Sequence, residues 1–416
     1  MTLALTYTVW YSFSVFYVAL LEEFGWSRAS SAGVFSLFVV MVGVFGAGAG
    51  VLADRFGPGR IVSLGSLALA GGLLACSQIK DLPQFYLYYG VLSAFGLSLG
   101  GWIPCVTLVN RWFSRKLGAA LGVTSAGIGA GILVMVPLTQ WWIGQLGWRT
   151  TYNILAVCVL VGILPVALLL FTRSRPEDLG MHRDGQKPLA EGALPSGTPV
   201  MPPRTRIVDA EWVARPWTVG SAIRTPRFWL LVAMMYLSSV ATQTVFVHQV
   251  AFLVDGGYDK MLAASIVGLI GILSVGAKIS WGWLSDRLGR ELTWSAGLCC
   301  TLVGVSALIA TRYVGAAALI YVFALAFAIG YGATAPLAPA IGSDVFAGRT
   351  FGAIYGTLSI ANGLGSATGA WFAGYLFDVT GSYVTAFGLA GACGMMSILA
   401  VWMAAPRKVR RVPGRG

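Results

Sequence analysis

The sequence predicts an all-α membrane protein: twelve transmembrane helices in two pseudo-symmetric six-helix halves. Three observations predict it. Of 416 residues, 57% are hydrophobic and 11% charged, whereas soluble domains carry roughly 25% charged residues. Apolar runs between charged or proline-rich breaks leave room for twelve segments, each near the ~20 residues a helix needs to cross the hydrocarbon. Finally, one charged turn occurs twice, as Gly50-Val51-Leu52-Ala53-Asp54-Arg55-Phe56-Gly57-Pro58-Gly59-Arg60 and as Gly282-Trp283-Leu284-Ser285-Asp286-Arg287-Leu288-Gly289-Arg290, a little over half the chain apart. A β-barrel would alternate polar and apolar positions in short segments. Here whole windows are apolar on every face, which suits helices that satisfy their own backbone.

The spans fall near 3–21, 31–52, 61–79, 84–108, 117–141, 150–172, 227–254, 262–284, 292–310, 314–337, 351–377 and 382–404. They divide the chain into an N-terminal half (1–172), a linker (173–226), a C-terminal half (227–404) and a basic tail (405–416). Composition marks the linker: eight of the 17 prolines lie between Pro176 and Pro226, with frequent charge and no apolar run. Within it, 218–225 is expected to form a short surface helix. No basic n-region or A-x-A site precedes Glu22-Glu23, so no cleavable signal peptide is expected. Span one begins almost at Met1 and barely reaches across ~30 Å, so a few native residues are expected to precede it.

The net charge of +12 is explained by topology rather than by nucleic acid. Loops joining odd spans to the following even spans hold Arg28, Lys80, Arg149, Lys260 and Arg312, five of the 28 Lys and Arg; the opposite side holds 22, and Lys278 lies within a span. The positive-inside rule then puts both termini and the linker in the cytoplasm, in a multi-pass protein of the plasma (cell inner) membrane. The run Arg407-Lys408-Val409-Arg410-Arg411 is suited to anionic headgroups. Cys76, Cys105, Cys158, Cys299, Cys300 and Cys393 all fall in spans as small packing residues, with no disulfide framework or metal spacing.

In chain order, span one carries Tyr7, Trp10, Tyr11, Phe13, Phe16 and Tyr17, a stripe from which Tyr11 is a candidate binding residue. Span two ends in the first charged turn, where Gly50 permits close helix approach, Asp54 sits at the membrane boundary and Arg55 supplies a cation. In span five, Gly118/Gly122 and Gly127/Gly131 are small-x-x-x-small pairs that let helices pack closely. Span seven brings Gln243 and His248 ahead of Asp255; His248 is either a hydrogen bonder in helix packing or a proton carrier. In span ten, Tyr331 sits between Gly330 and Gly332, before Pro336 and Pro339, which bend or break the helix. Span eleven presents Tyr355, Ser359 and Asn362 as a polar stripe of the kind that faces protein or a wet cavity.

Span eight carries Lys278. A cation at this depth costs on the order of 2.5–3.5 kcal/mol, and no acid lies one turn away: Ser274 is four residues before and Gly282 four after. A substrate carboxylate 4 Å away would be attracted by about 4 kcal/mol at an effective dielectric near 20. The competing reading is snorkelling to the cytoplasm past Leu284, about 9 Å further along. Lys278 has no counterpart in span two, where Phe45-Gly46-Ala47 leads into the turn.

The pattern G-x-L-a-D-R-x-G-x-x-R between spans two and three resembles the hallmark loop of the major facilitator superfamily of transporters, and its recurrence between spans eight and nine is what a two-fold repeat of six helices predicts. The resemblance implies a conformational latch at Gly50, Asp54 and Arg55, repeated at Gly282, Asp286 and Arg287, and a cavity lined by spans one, four, seven and ten. The stretch Trp112-Phe113-Ser114-Arg115-Lys116, followed by Gly118, Gly122, Gly127, Gly129 and Gly131, is similar to the signature of the monocarboxylate transporter family and its oxalate:formate antiporter relatives. It departs from that signature at Leu117, where a third basic residue is common, and at Thr124, where Ala is. The family's other signature, acidic-Gly-Gly-aromatic at the start of span one, is absent. The family's essential basic residue on span eight, usually Arg, lies in a pattern similar to Gly276-Ala277-Lys278-Ile279-Ser280-Trp281-Gly282. Lys in its place loses the bidentate fork and leaves a point charge. Some relatives place an acid one turn before it for proton coupling, where this chain has Ser274. The antiporters use a second cation on span eleven, which is lacking here and implies one carboxylate rather than two.

No P-loop, H-E-x-x-H or C-x-x-C motif occurs, so no enzyme, cofactor or metal is expected. The expected function is secondary transport of a small organic anion, a monocarboxylate, by alternating access in a monomer, with symport of a proton or antiport as the coupling. Lys278, Ser274, Tyr11, Tyr331, Asn362 and His248 are the candidate substrate residues. The rivals are an efflux pump for amphipathic compounds in the same fold and a non-transporting membrane receptor or scaffold.

Overall fold

A computed structural model of the chain describes residues 1–112, 117–171, 206–346 and 351–411, without the side chains of Ala47, Asp54, Asn110, residues 117–122, Arg206, Gly352 and Arg411. The basic cluster Arg115-Lys116 and the glycines Gly118 and Gly122 therefore lie outside the described side chains, as do linker residues 172–205. The described residues are almost wholly helical.

The first crossings are α1 (Thr2–Phe24), α2 (Arg28–Phe56) and α3 (Pro58–Cys76). Between α2 and α3, Gly57 takes φ 88° and Pro58 opens the next helix, where its missing N–H costs nothing. The fourth crossing is segmented: α4 (Leu82–Phe85), a π-helical turn Tyr86–Ser93, α5 (Ala94–Gly100) and α6 (Trp102–Trp112), with Gly101 breaking the regular backbone. A continuous helical assignment, α7 (Leu117–Leu169), holds two crossings that turn at Gly147, φ 79°. The linker's described end forms the short strand β1 (Arg206–Ile207), α8 (Ala210–Ala214) and α9 (Val219–Ile223), the last at the short helix expected over 218–225. Then come α10 (Pro226–Asp255), α11 (Lys260–Leu288), α12 (Arg290–Val314), α13 (Ala318–Val345), α14 (Phe351–Thr380) and α15 (Val384–Ala404), followed by a 3-10 turn Pro406–Lys408 and β2 (Arg410–Arg411).

Among the described residues, ten helical stretches are long and apolar enough to cross a membrane; one of them, Val123–Leu169, contains the Gly147 turn. With both of its arms and the 30-residue α14, the crossings number twelve, as the sequence predicts.

The chain packs into two compact units, Met1–Phe16 with Leu37–Pro202, and Tyr17–Ser36 with Pro203–Gly416. In the first, Phe16 stacks on Tyr152 at 3.8 Å and Phe13 meets Tyr89 at 5.3 Å, while the Tyr89 hydroxyl donates to the Val9 carbonyl at 2.8 Å. Gly131 permits α7 to touch α1, since a Cβ there would lie 2.6 Å from the Ala4 carbonyl oxygen; Gly127 faces open space. In the second, α10 packs on α14 and α15, and α13 on α11 and α12, around Trp294, Phe228, Leu337 and Leu358.

The tail folds back on this second unit. Ala405 reverses the chain at φ 47°, the Arg407 amide donates to Glu291 at 2.8 Å, and Val409 is fully buried. β1 and β2 pair antiparallel, Arg206 opposite Arg411 and Ile207 opposite Arg410.

Candidate functional site

Helix α11 begins with a side-chain cap: Asp259 accepts from the amides of Met261 and Leu262 at 2.9 and 3.0 Å, satisfying two of the four N–H groups a helix start leaves open. Its small and apolar sequence then runs uninterrupted to Lys278. Ala277, buried, packs on α13 at Gly332, where a Cβ would lie 2.5 Å from that of Ala277 and 3.1 Å from the Lys278 amide nitrogen. One turn on, the Trp281 indole donates to the Ile329 carbonyl at 2.8 Å. The two helices are thus locked together on both sides of Lys278.

Lys278 itself is half-buried. Its Nζ lies 5.4 Å from the centre of the Tyr331 ring, and no carboxylate ion-pairs with it among the described residues. A cation over an aromatic face gains about 0.5–2 kcal/mol, less than the cost of the depth at which the charge sits. Tyr331 is held in turn by Phe246 of α10, edge-on at 4.7 Å, and by Phe327 one turn before it on α13. The structure therefore brings Lys278 and Tyr331 together and adds Phe246, which no sequence signal distinguishes from the rest of an apolar span. Ser274 is 1% exposed and donates to the Gly271 carbonyl of its own helix at 2.8 Å.

The other expected residues have different surroundings. Asn362 on α14 accepts a hydrogen bond from Ser239 of α10. His248, fully buried on α10, meets the Tyr383 hydroxyl through Nδ1 at 3.1 Å and the Ala370 carbonyl through Nε2 at 2.8 Å. Along α10 it is seven residues, about 10 Å, from Asp255, whereas Lys278 is eighteen residues, about 27 Å, from the neighbouring start of α11. His248 and Lys278 thus lie at different depths of this helical hairpin. Tyr11 is half-buried on α1 in the first unit.

At the charged turns, Gly50 sits against Ile103 and Gly282 against Pro336, with room for a Cβ at 3.4 and 3.9 Å. The Asp54 side chain lies outside the described residues, and Arg55 is exposed with its guanidinium 5.3 Å from the Phe56 ring. In the second copy Arg287 is exposed and stacks on Trp283 at 3.8 Å. The ionic tie runs through Arg290, which pairs with Asp286 at 2.9 Å and with Asp344, at the end of α13, also at 2.9 Å. The motif points to Asp286 and Arg287, whereas the ionic contacts of Asp286 run to Arg290, the last residue of the turn, and on to Asp344. Asp286 and Arg290 are four residues apart but lie on either side of the break at Gly289, φ 99°, between α11 and α12, so the turn rather than a helical spacing brings them together.

Comparisons with known proteins give these features a context. The sequence model of the family described as Major Facilitator Superfamily matches residues 1–354 and 279–415. The chain is 29% identical over 392 residues to monocarboxylate transporter 13 of Rattus norvegicus, covering 94% of this chain and 83% of the relative. It is 25% identical over 397 residues to the oxalate:formate antiporter of Oxalobacter formigenes, covering 92% and 86%. Among solved structures, a bacterial homolog of the human lysosomal transporter Spinster superposes with a TM-score of 0.68 at 15% identity, over 97% of this chain and 95% of that one. A bacterial homologue of the human drug peptide transporters PepT1 and PepT2 gives 0.68 at 14%, over 97% and 96%.

Proposed function

The chain belongs to the Major Facilitator Superfamily, a family of transporters and not of enzymes, and we propose that it carries small monocarboxylates across the plasma membrane by alternating access. One observation carries this reading: Lys278 is held half-buried beside Tyr331 with no carboxylate partner among the described residues. A charge left in this way is neutralised when a substrate carboxylate arrives, and the attraction of about 4 kcal/mol at 4 Å offsets the cost of its burial. The names of the similar proteins, monocarboxylate transporters and an oxalate:formate antiporter, support an organic anion. Lys278 in mid-helix, with no Lys or Arg on α14 to join it, favours one carboxylate over two.

Tyr331, with Phe246 behind it, supplies an apolar wall for the rest of the substrate. The Asp286–Arg290–Asp344 tie serves as the latch that is made in one conformation and broken in another, and the duplicated turn at Gly50, Asp54 and Arg55 is its counterpart. The excess of Lys and Arg on one side of the spans supports cytoplasmic termini. The monomer is proposed as the working unit, with proton symport or anion exchange as the coupling.

Uptake of a panel of labelled monocarboxylates into proteoliposomes tests the reading. Wild-type protein is expected to accumulate at least one of them, Lys278→Arg to retain uptake, and Lys278→Ala to lose it. Undiminished uptake by Lys278→Ala would overturn the role of the lysine. The same aromatic wall fits an exporter of amphipathic compounds, and that function would show as transport of such compounds by wild type and Lys278→Ala alike.

A further inference from the structure

Six polar side chains far from Lys278 converge where α1 gives way to α2. Arg28, the first residue of α2, pairs with Asp255 at 2.7 Å, donates to the Tyr383 hydroxyl at 2.8 Å and lies over the Phe377 ring at 3.8 Å. The backbone amides of Arg28 and Ala29 donate to the two oxygens of Asp378 at 2.8 and 2.7 Å, so an aspartate from α14 caps the start of α2. The Tyr17 hydroxyl donates to the Arg28 carbonyl at 3.1 Å and neighbours the Tyr383 hydroxyl. The tip formed by α1 and α2 is thereby clasped to α10, α14 and the start of α15.

His248 sits beneath this clasp, 0% exposed, with the Tyr17 ring edge-on at 5.4 Å. Its hydrogen bonds define its protonation. The Ala370 carbonyl can only accept, so Nε2 carries a hydrogen. In the neutral ring Nδ1 then accepts from the Tyr383 hydroxyl, whose oxygen accepts from Arg28. Every group in the chain Arg28, Tyr383, His248, Ala370 is satisfied in that form. A proton added at Nδ1 turns an acceptor into a donor aimed at an oxygen already taking an N–H from Arg28. It also sets a second buried cation beside the guanidinium. The carboxylates facing this cluster are committed elsewhere, Asp255 to Arg28 and Asp378 to the α2 amides.

We propose that His248 is a proton-operated release for the clasp: the neutral ring holds the α1–α2 tip against α10, α14 and α15, and the protonated ring frees it. The sign follows from the hydrogen bonds. The released form binds one more proton, so acid favours it, with the open-to-closed ratio rising up to about ten-fold per pH unit for a single site. This inference does not depend on what Lys278 binds.

Spin labels at Ser27→Cys, on the tip, and Val379→Cys, on α14, in protein with its six native cysteines replaced, read the clasp as a distance measured by double electron–electron resonance. Between pH 8 and pH 5 the wild-type distribution is expected to gain a longer component. His248→Gln, whose amide donates to Ala370 and accepts from Tyr383 without titrating, is expected to stay short at both pH values. Arg28→Met is expected to be long at both. A wild-type distribution unchanged by pH, or a full pH response in His248→Gln, overturns the proposal. If His248→Gln elutes as aggregate on size exclusion, Tyr383→Phe takes its place: lacking the contested oxygen, it is expected to respond weakly to pH, and a wild-type response from it overturns the proposal equally.

Discussion

Lys278 was legible in the sequence because a charge inside an apolar run has few harmless explanations. Its setting was not legible. Gly332 and Phe246 are an ordinary small and an ordinary aromatic residue in membrane spans, and only the packing of α13 and α10 against α11 brings them to Lys278. That setting yields two predictions. Gly332→Val pushes a branched side chain into Ala277 and the Lys278 backbone, and overpacking of this kind costs about 1–3 kcal/mol; the melting temperature in detergent is expected to fall. Tyr331→Leu keeps the bulk but removes the π face, a loss of about 0.5–2 kcal/mol. If the ring holds the ammonium ready for substrate, labelled-substrate binding should weaken by a few-fold to about thirty-fold, and an unchanged affinity would show that the ring only packs.

Among the helices, the repeated turn announced itself through its own duplication, whereas the residue that completes it did not. Asp344 lies 54 positions beyond Arg290, and nothing in the local pattern of span ten links the two. The pair is well shielded, with side-chain exposures of 11% and 8%, so removing one partner leaves a charge with poor access to water, a loss that runs to about 3–5 kcal/mol for fully buried pairs. Arg290→Ala is therefore expected to lower thermal stability clearly more than Arg287→Ala, whose side chain is exposed and only stacks on Trp283. Equal losses in a melting assay would return the latch to the arginine that the sequence motif favoured. His248 shows the same limit of local reading. Its type and depth were evident, but its partners come from Ala370 on α14 and from Tyr383, beyond the reach of any helical spacing on α10.

At the scale of the whole molecule, hydropathy and charge delivered the twelve crossings, because lipid constrains every backbone group in the same way. The grouping of those crossings was less legible. Chain order assigns all of α1 and α2 to the first half, while the contacts place Tyr17–Ser36 in the second unit, through Arg28 and Asp378. The seating of the tail was not legible either: within the basic run suited to headgroups, Arg407 pairs with Glu291 and Arg410 lies in a strand pair. Deleting 405–416 is expected to leave membrane insertion intact while lowering thermal stability, because the buried seat of Val409 is emptied and Glu291 loses its partner. The strand pair also has a practical meaning. Positions near 207 and 410, half a chain apart in sequence, run about 5 Å apart in space, so a donor dye beside one and an acceptor beside the other would transfer energy almost completely. Such a pair turns the tail's attachment into an optical signal that can be followed in a living membrane.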